Sequence, residues 1–277
     1  MRSTGDTLVI EAGKANRISL RELWLYRELL YFFAWRDIKV RYKQTILGAG
    51  WAILQPLLAA IIFTVFFNRV AKIGTGSANI PYPVFAYLGL MYWNGFSGAL
   101  STVSNSLLSN SGVINKIYFP RLIPPLAATA LSVVDFVFAA AVFFLLLAGY
   151  RIMPGLDGVL LIIPSLVLSM LAAFSIGLIF AGLNIKYRDV RSALPYLIQI
   201  AFFVTPVIYP LSLIPHRFQI FAYIDPATGA IGSVKAGIFH QAPNWAGLLI
   251  SWISTLAFLA VGLWYFKRTE KRLPDYL

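Results

Sequence analysis

Six stretches of this chain are free of charge, or nearly so, over lengths that suit a lipid bilayer, and the charged residues crowd into the segments between them. Crossing the hydrocarbon core takes about 20 predominantly apolar residues as a helix. The stretches cover about residues 47–67, 82–103, 122–150, 159–183, 194–209 and 245–266. Backbone groups inside lipid must be satisfied within their own segment, and a barrel would show short alternating segments instead. The expectation is an all-α integral membrane fold with six transmembrane helices. Charged residues make up 12% of the chain, about half of the roughly 25% usual in soluble domains.

Orientation follows from the basic residues. With both termini on the cytoplasmic side, 18 of the 23 Lys and Arg residues fall on inner segments, and only Arg69, Lys72, Arg151, Arg217 and Lys235 fall outside. That is the bias expected of cytoplasmic loops. It accounts for the net charge of +12 without nucleic acid, which clustered basic residues could otherwise suggest. With no cysteine in the chain, disulfides and thiolate metal sites are excluded.

Residues 1–18 are polar and predict a mobile arm ahead of a single membrane domain over residues 19–277. Ser19-Leu20-Arg21-Glu22 has the form of a capping box that opens a helix to about Ala34. Its apolar majority beside an arc of charge predicts an amphipathic helix in the inner membrane interface, with membrane lipids as its partner; a surface helix packed on a soluble partner would carry the same pattern. The connection over residues 210–244 is apolar for a loop. Asp225-Pro226 signals a helix start, a cap followed by proline in the first turn, and two short re-entrant helices dipping into the outer leaflet are expected there.

Signatures of catalysis are missing. No G-x-x-x-x-G-K-[ST] loop, H-E-x-x-H or G-x-S-x-G occurs, so no nucleotide, zinc-protease or serine-hydrolase site of those types is encoded. His216 and His240 lie 24 positions apart in the outer connection, a spacing that suits structural or solvent-facing histidines better than a metal site. Asp135 is the one acid or base inside a clear span. A mid-span carboxylate is costly and faces protein, water or a pathway; a hydrogen bond across spans, a pathway wall and a proton-coupling site all remain open from sequence. Tyr82, Tyr87, Tyr92 and Trp93 recur through the second stretch, with Asn94, Ser97, Ser101 and Ser104 after them. Aromatic faces beside hydroxyls and amides suit sugar rings, whereas helix packing through small residues is the plainer reading.

The segment Trp35-Arg36-Asp37-Ile38-Lys39-Val40-Arg41-Tyr42-Lys43-Gln44-Thr45, followed by Leu47-Gly48 and by Trp51 through Gln55-Pro56, resembles the entry into the first span of type-2 ABC exporter permeases. Within that family it is most similar to the polysaccharide subgroup: O-antigen, capsule and teichoic acid exporters. Residues 110–121, and the run from Leu183 through Lys186-Tyr187-Arg188-Asp189 to Thr205-Pro206-Val207-Ile208-Tyr209, resemble two further segments of that subgroup in the same order. Ile224-Asp225-Pro226 departs from the Asn-Pro expected in the outer loop.

The resemblance implies a homodimer of six-span subunits in the cytoplasmic (inner) membrane. Two ATP-binding subunits would dock on its inner face, and its central channel would pass a lipid-linked glycan. No cofactor would sit on this chain; ATP and Mg would belong to the partner. On this reading Asn110, Asn115, Lys116, Phe119 and Arg121 form the loop that receives force from the ATPase. Arg36, Arg41 and Lys43 anchor at anionic lipid and attract the substrate's phosphate head group. Tyr92, Trp93, Asn94, Tyr196 and Gln199 line a passage between two copies. A permease for drugs or other small hydrophobic molecules, an ATPase-independent channel or carrier, and a scaffold for a glycan synthase are the rival expectations.

Overall fold

A computed structural model describes residues 20–43, 50–70, 72, 74–76 and 80–270. The proposed arm, the capping serine at position 19 and the last seven residues lie outside the described residues. What is described is helical, with no strand among the described residues. The helices are α1 (Leu20–Leu25), α2 (Arg27–Lys43), α3 (Gly50–Phe63, continued by a π-helical segment Thr64–Val70), α4 (Tyr82–Ser109), α5 (Ser111–Ile114) and α6 (Ile123–Gly149). They are followed by α7 (Leu156–Lys186), α8 (Arg188–Val204), α9 (His216–Ala222), α10 (Pro226–Ile238) and α11 (Trp245–Glu270).

Three of these, α6, α7 and α11, with 27, 31 and 26 residues, are long and apolar enough to cross a bilayer, and Ile53–Asn68 is a shorter apolar helix. The 28 residues of α4 rise about 42 Å at 1.5 Å per residue, but their polar content is too high for a lipid-facing helix. The structure explains how α4 carries it: α3, α6, α7 and α10 all pack against it, and most of its side chains are buried. A helix wrapped in protein need not be apolar all round, because neighbouring helices rather than lipid meet its hydroxyls and amides.

Side-chain pairings set the directions. Tyr92 on α4 donates to the carbonyl of Ile162 on α7, and further along Asn184 of α7 donates to Ser104 of α4, so these helices run the same way. Tyr87 reaches Ala139 and Thr102 reaches Ala128, which makes α6 antiparallel to α4. One core forms where α4, α6, α7 and α10 meet, around Tyr87, Tyr92, Phe143 and Leu168. A second lies under α2 and α5, around Phe33, Phe119, Leu178 and Phe266.

Three expectations are corrected. The N-terminal helix does not stop near Ala34: it breaks at Tyr26 and continues as α2 to Lys43. Nor does α2 divide into one polar and one apolar face. It buries Phe33 and Ala34 in the second core and presents Tyr31, Phe32, Trp35 and Val40 outward. The fifth helix is displaced toward the N-terminus, covering Arg188–Val204 rather than 194–209. Its charged first turn lies on an exposed face. Its end is set by Pro206, since a residue before proline avoids the helical region, and Thr205 is extended at φ −71°, ψ 135°.

The Asp225-Pro226 reading holds. Asp225 caps α10, its Oδ1 accepting from the Ala227 N–H at 3.1 Å, while its Oδ2 accepts from the hydroxyls of Thr205 (2.7 Å) and Thr228 (3.1 Å). One carboxylate thus starts α10 and ties it to the end of α8. Eleven of the 13 residues of α10 are buried, so the tie sits under a packed element. Asp225→Ala is expected to cost about 2 kcal/mol, a lost cap plus two orphaned hydroxyls, read as a lower melting temperature of the purified protein. Thr228→Val, which removes only one hydroxyl, should cost less than half as much.

Candidate coupling, entry and passage residues

At the end of α4, Asn110 closes the helix. Its side-chain amide donates to Ser106 (2.8 Å), and its Oδ1 accepts from Nη2 of Arg36 on α2 (2.7 Å). The single turn α5 follows, with Ile114 buried. Phe119 is 1% exposed, its ring 5.7 Å from that of Phe33, and Arg121 donates to the Ile114 carbonyl at 2.8 Å while standing over Phe119. Between these fixed points Asn115, Lys116, Ile117 and Tyr118 project into solvent.

The five residues expected to form a coupling loop therefore divide into a base (Asn110, Phe119, Arg121) and a tip (Asn115, Lys116). The tip also holds Ile117 and Tyr118, 51% and 54% exposed, which are not among the five expected residues. Both are large side chains left exposed beside a buried phenylalanine, and the signal for them is the apolar run ending at Phe119-Pro120. Partial burial, then the nearby carboxylates of Glu22 and Glu270, push the Tyr118 phenol above its ordinary range, and Arg121 opposes them.

The entry residues are less free than their charges suggested. Arg36 donates through Nε and Nη2 to Asp37 (2.9 and 2.7 Å) as well as to Asn110. Arg41 pairs with Asp135 at 2.9 Å, and the Tyr42 hydroxyl donates to the other carboxylate oxygen. Lys43 is exposed at the end of α2. Asp135, which looked isolated when only the spans were compared, takes its partners from α2. The pair sits at the wall of a cavity of about 330 Å³ that also touches Gln55, Asn94, Ser97 and Ser101. Ser101 is shared with a cleft of about 290 Å³ beside Arg36, Asn105, Ser109 and Asn110. At helical spacing these α4 residues form one polar stripe, in which each arginine is matched by a carboxylate.

The five passage residues are not brought together. Tyr92 is 1% exposed, its hydroxyl committed to Ile162 and its ring 4.9 Å from Phe136. Trp93 is 5% exposed and packs between Phe96 and Phe202. Both fill the bundle interior, so the expectation that they line a wall between copies is corrected: the period of a helix does not reveal which face meets protein. Asn94 is half-buried at the 330 Å³ cavity. Tyr196 and Gln199 are exposed on α8 beside Ile200, Phe203 and Val204. His240 meets the Met153 carbonyl at 3.0 Å, and no cluster of His, Asp or Glu suited to a metal ion occurs among the described residues.

A bundle of apolar helices around an α4 that carries a polar stripe, with three helices long enough to cross a bilayer, is the architecture of a multi-pass membrane protein. The family model described as ABC-2 type transporter matches residues 28–239, and the chain belongs to that family. It is 28% identical over 251 residues to the O-antigen export system permease protein RfbA of Klebsiella pneumoniae, covering 90% of this chain and 95% of the relative. The RfbA protein of Myxococcus xanthus is 29% identical over 231 residues, covering 81% and 86%. The polysialic acid transport protein KpsM of Escherichia coli is 24% identical over 247 residues, covering 86% and 92%.

Proposed function

We propose that this chain is the membrane-spanning permease subunit of an ATP-driven exporter that moves a lipid-linked, O-antigen-like polysaccharide across the cytoplasmic membrane. The observation that carries the reading is similarity to O-antigen export permeases along nearly the whole of both chains. α3, α4, α6, α7, α8 and α11 are the six spans, with both termini inside, and α9 and α10 dip into the outer leaflet. α2 rests at the inner interface with its outward aromatic side in the lipid, where such rings are favoured.

The chain has no phosphate-binding loop, so ATP and Mg bind the partner, and its stroke enters through the tip at Asn115–Tyr118. Two copies place the passage on a two-fold axis, the symmetry that oligomers favour, with the exposed side of α8 (Tyr196, Gln199) toward it. The arginines Arg36 and Arg41, each already matched by a carboxylate, hold α2 to α4 and α6. Lys43 remains for the anionic head group.

The test uses cells that make such a glycan and the ATP-binding subunit. Without this chain the lipid-linked glycan should be retained inside. Lys116→Glu with Tyr118→Ala should retain it as completely, at least tenfold less exported, although the chain inserts normally. Normal export by that variant would show that the tip transmits nothing.

A further inference from the structure

A second cavity, of about 250 Å³, lies at the α10 end of the bundle, away from the polar stripe. Five parts of the chain build it: the segment after α3, the start of α4, the turns after α8, the α9–α10 pair, and the approach to α11. Its wall includes the rings of Phe85, Tyr209 and Tyr223, and its polar groups include Ser212, Gln241 and Asn244. Tyr209 is held in place, its hydroxyl donating to the carbonyls of Phe203 and Val204 at the end of α8 (3.1 and 2.8 Å).

Lys235 is the charged residue in that wall, and it is 7% exposed. Its ammonium donates to the Val207 carbonyl at 2.7 Å and, at a longer 3.4 Å, to that of Pro206, and lies 3.7 Å from the centre of the Phe85 ring. α4 admits this arrangement through Gly89, where a Cβ would fall 2.1 Å from the Val207 oxygen. Among the described residues no carboxylate pairs with Lys235. Asp225, the acid on the same helix, is at its opposite end and committed to the cap. Burial among neutral partners works against the protonated amine: several kcal/mol of desolvation fall on it, and two carbonyls and a ring return part. A negatively charged ligand group would return more.

We infer that this outer cavity binds an acidic saccharide unit, whose carboxylate is received beside Lys235 and whose ring lies against the aromatic side chains. Aromatic faces complement the C–H face of a pyranose, and a few placed polar groups serve its hydroxyls, the usual make-up of a ligand site. The inference rests on the reading of the substrate as a glycan and narrows it to chains that carry carboxylates. The site would hold a residue of the chain as it leaves on the outer side.

The test is saturation-transfer NMR on the whole chain in phosphatidylcholine nanodiscs, with D-glucuronate, D-glucose and inorganic phosphate as probes. Glucuronate should bind at least tenfold more tightly than glucose. Lys235→Met should abolish that preference and Lys235→Arg should keep it. Ser212→Ala with Gln241→Ala, on the rim, should weaken glucuronate severalfold without disturbing Lys235. Should Lys235→Met fail to fold, the wild-type comparison and the rim variant decide. Equal binding of glucose and glucuronate would overturn the inference, as would unchanged binding by Lys235→Met. Tighter binding of phosphate, in competition with glucuronate, would also overturn it and assign the cavity to a phosphate head group. Export is measured separately in cells, so a cavity that binds no acidic sugar leaves the export reading standing.

Discussion

Gly158→Ala should be the most damaging single methyl group that can be added to this protein. A Cβ at Gly158 would lie 2.0 Å from the backbone nitrogen of Ile238 and 2.4 Å from the carbonyl carbon of Gly237. The two helices meet there without side chains between them, and the Gly155 N–H donates to the Ile238 carbonyl at 3.0 Å. Because the obstructing atoms are backbone, no rotamer change relieves the clash; α10 must move away from α7 and open the core it fills. Overpacking a tight site costs about 1–3 kcal/mol, and a backbone-to-backbone clash belongs at the top of that range or above it. The expected result is a large fall in monodisperse protein after mild heating, with export lost in proportion. Gly112→Ala on α5, where nothing lies within 4 Å of the added carbon, should stay within about 0.5 kcal/mol of wild type.

The second large effect belongs to the tie between α2 and α6. Asp135→Leu removes the carboxylate that meets both Arg41 and Tyr42 at the polar stripe. Breaking a fully buried pair costs 3–5 kcal/mol, but the Arg41 side chain is 47% exposed and that of Asp135 19%, so water offsets part of the loss. About 2 kcal/mol is expected. Arg41→Gln should cost a similar amount, and the double variant less than the sum of the two, with a coupling of about 1 kcal/mol. Unfolding of the four proteins in a denaturing detergent series measures it. Strict additivity would mean that the pair does not hold α2 in place.

Much of this fold could be read in the sequence because lipid imposes a simple rule on the helices that face it. The almost uncharged run bounded by Arg121 and Arg151 predicts α6 to within a residue at each end, and α11 starts at the expected Trp245. The cap at Asp225 is a local signal and was read as one. The failures came where the answer depends on distant residues. α2 continues past Ala34 through a run crowded with charge, which looks like the end of a helix until Asp135, nearly a hundred positions away, is found to take Arg41 and Tyr42. Tyr92 and Trp93 have the composition of a sugar-facing wall, yet only the neighbours Ile162, Phe136 and Phe202 reveal that they face inward. The Lys235 cavity draws on five separate parts of the chain, so no linear pattern marks it.

The proposed function requires that this chain move a glycan only when a separate subunit supplies ATP hydrolysis. Reconstitution tests it most directly: purified chain, with and without its ATP-binding subunit, in vesicles loaded with a fluorescent lipid-linked glycan, reading exposure of the glycan to an added glycosidase on the far side. Exposure should need both subunits and hydrolysable ATP, and should stop with a non-hydrolysable analogue. Glycan exposure, or an ion current, produced by this chain alone at the same rate would contradict it.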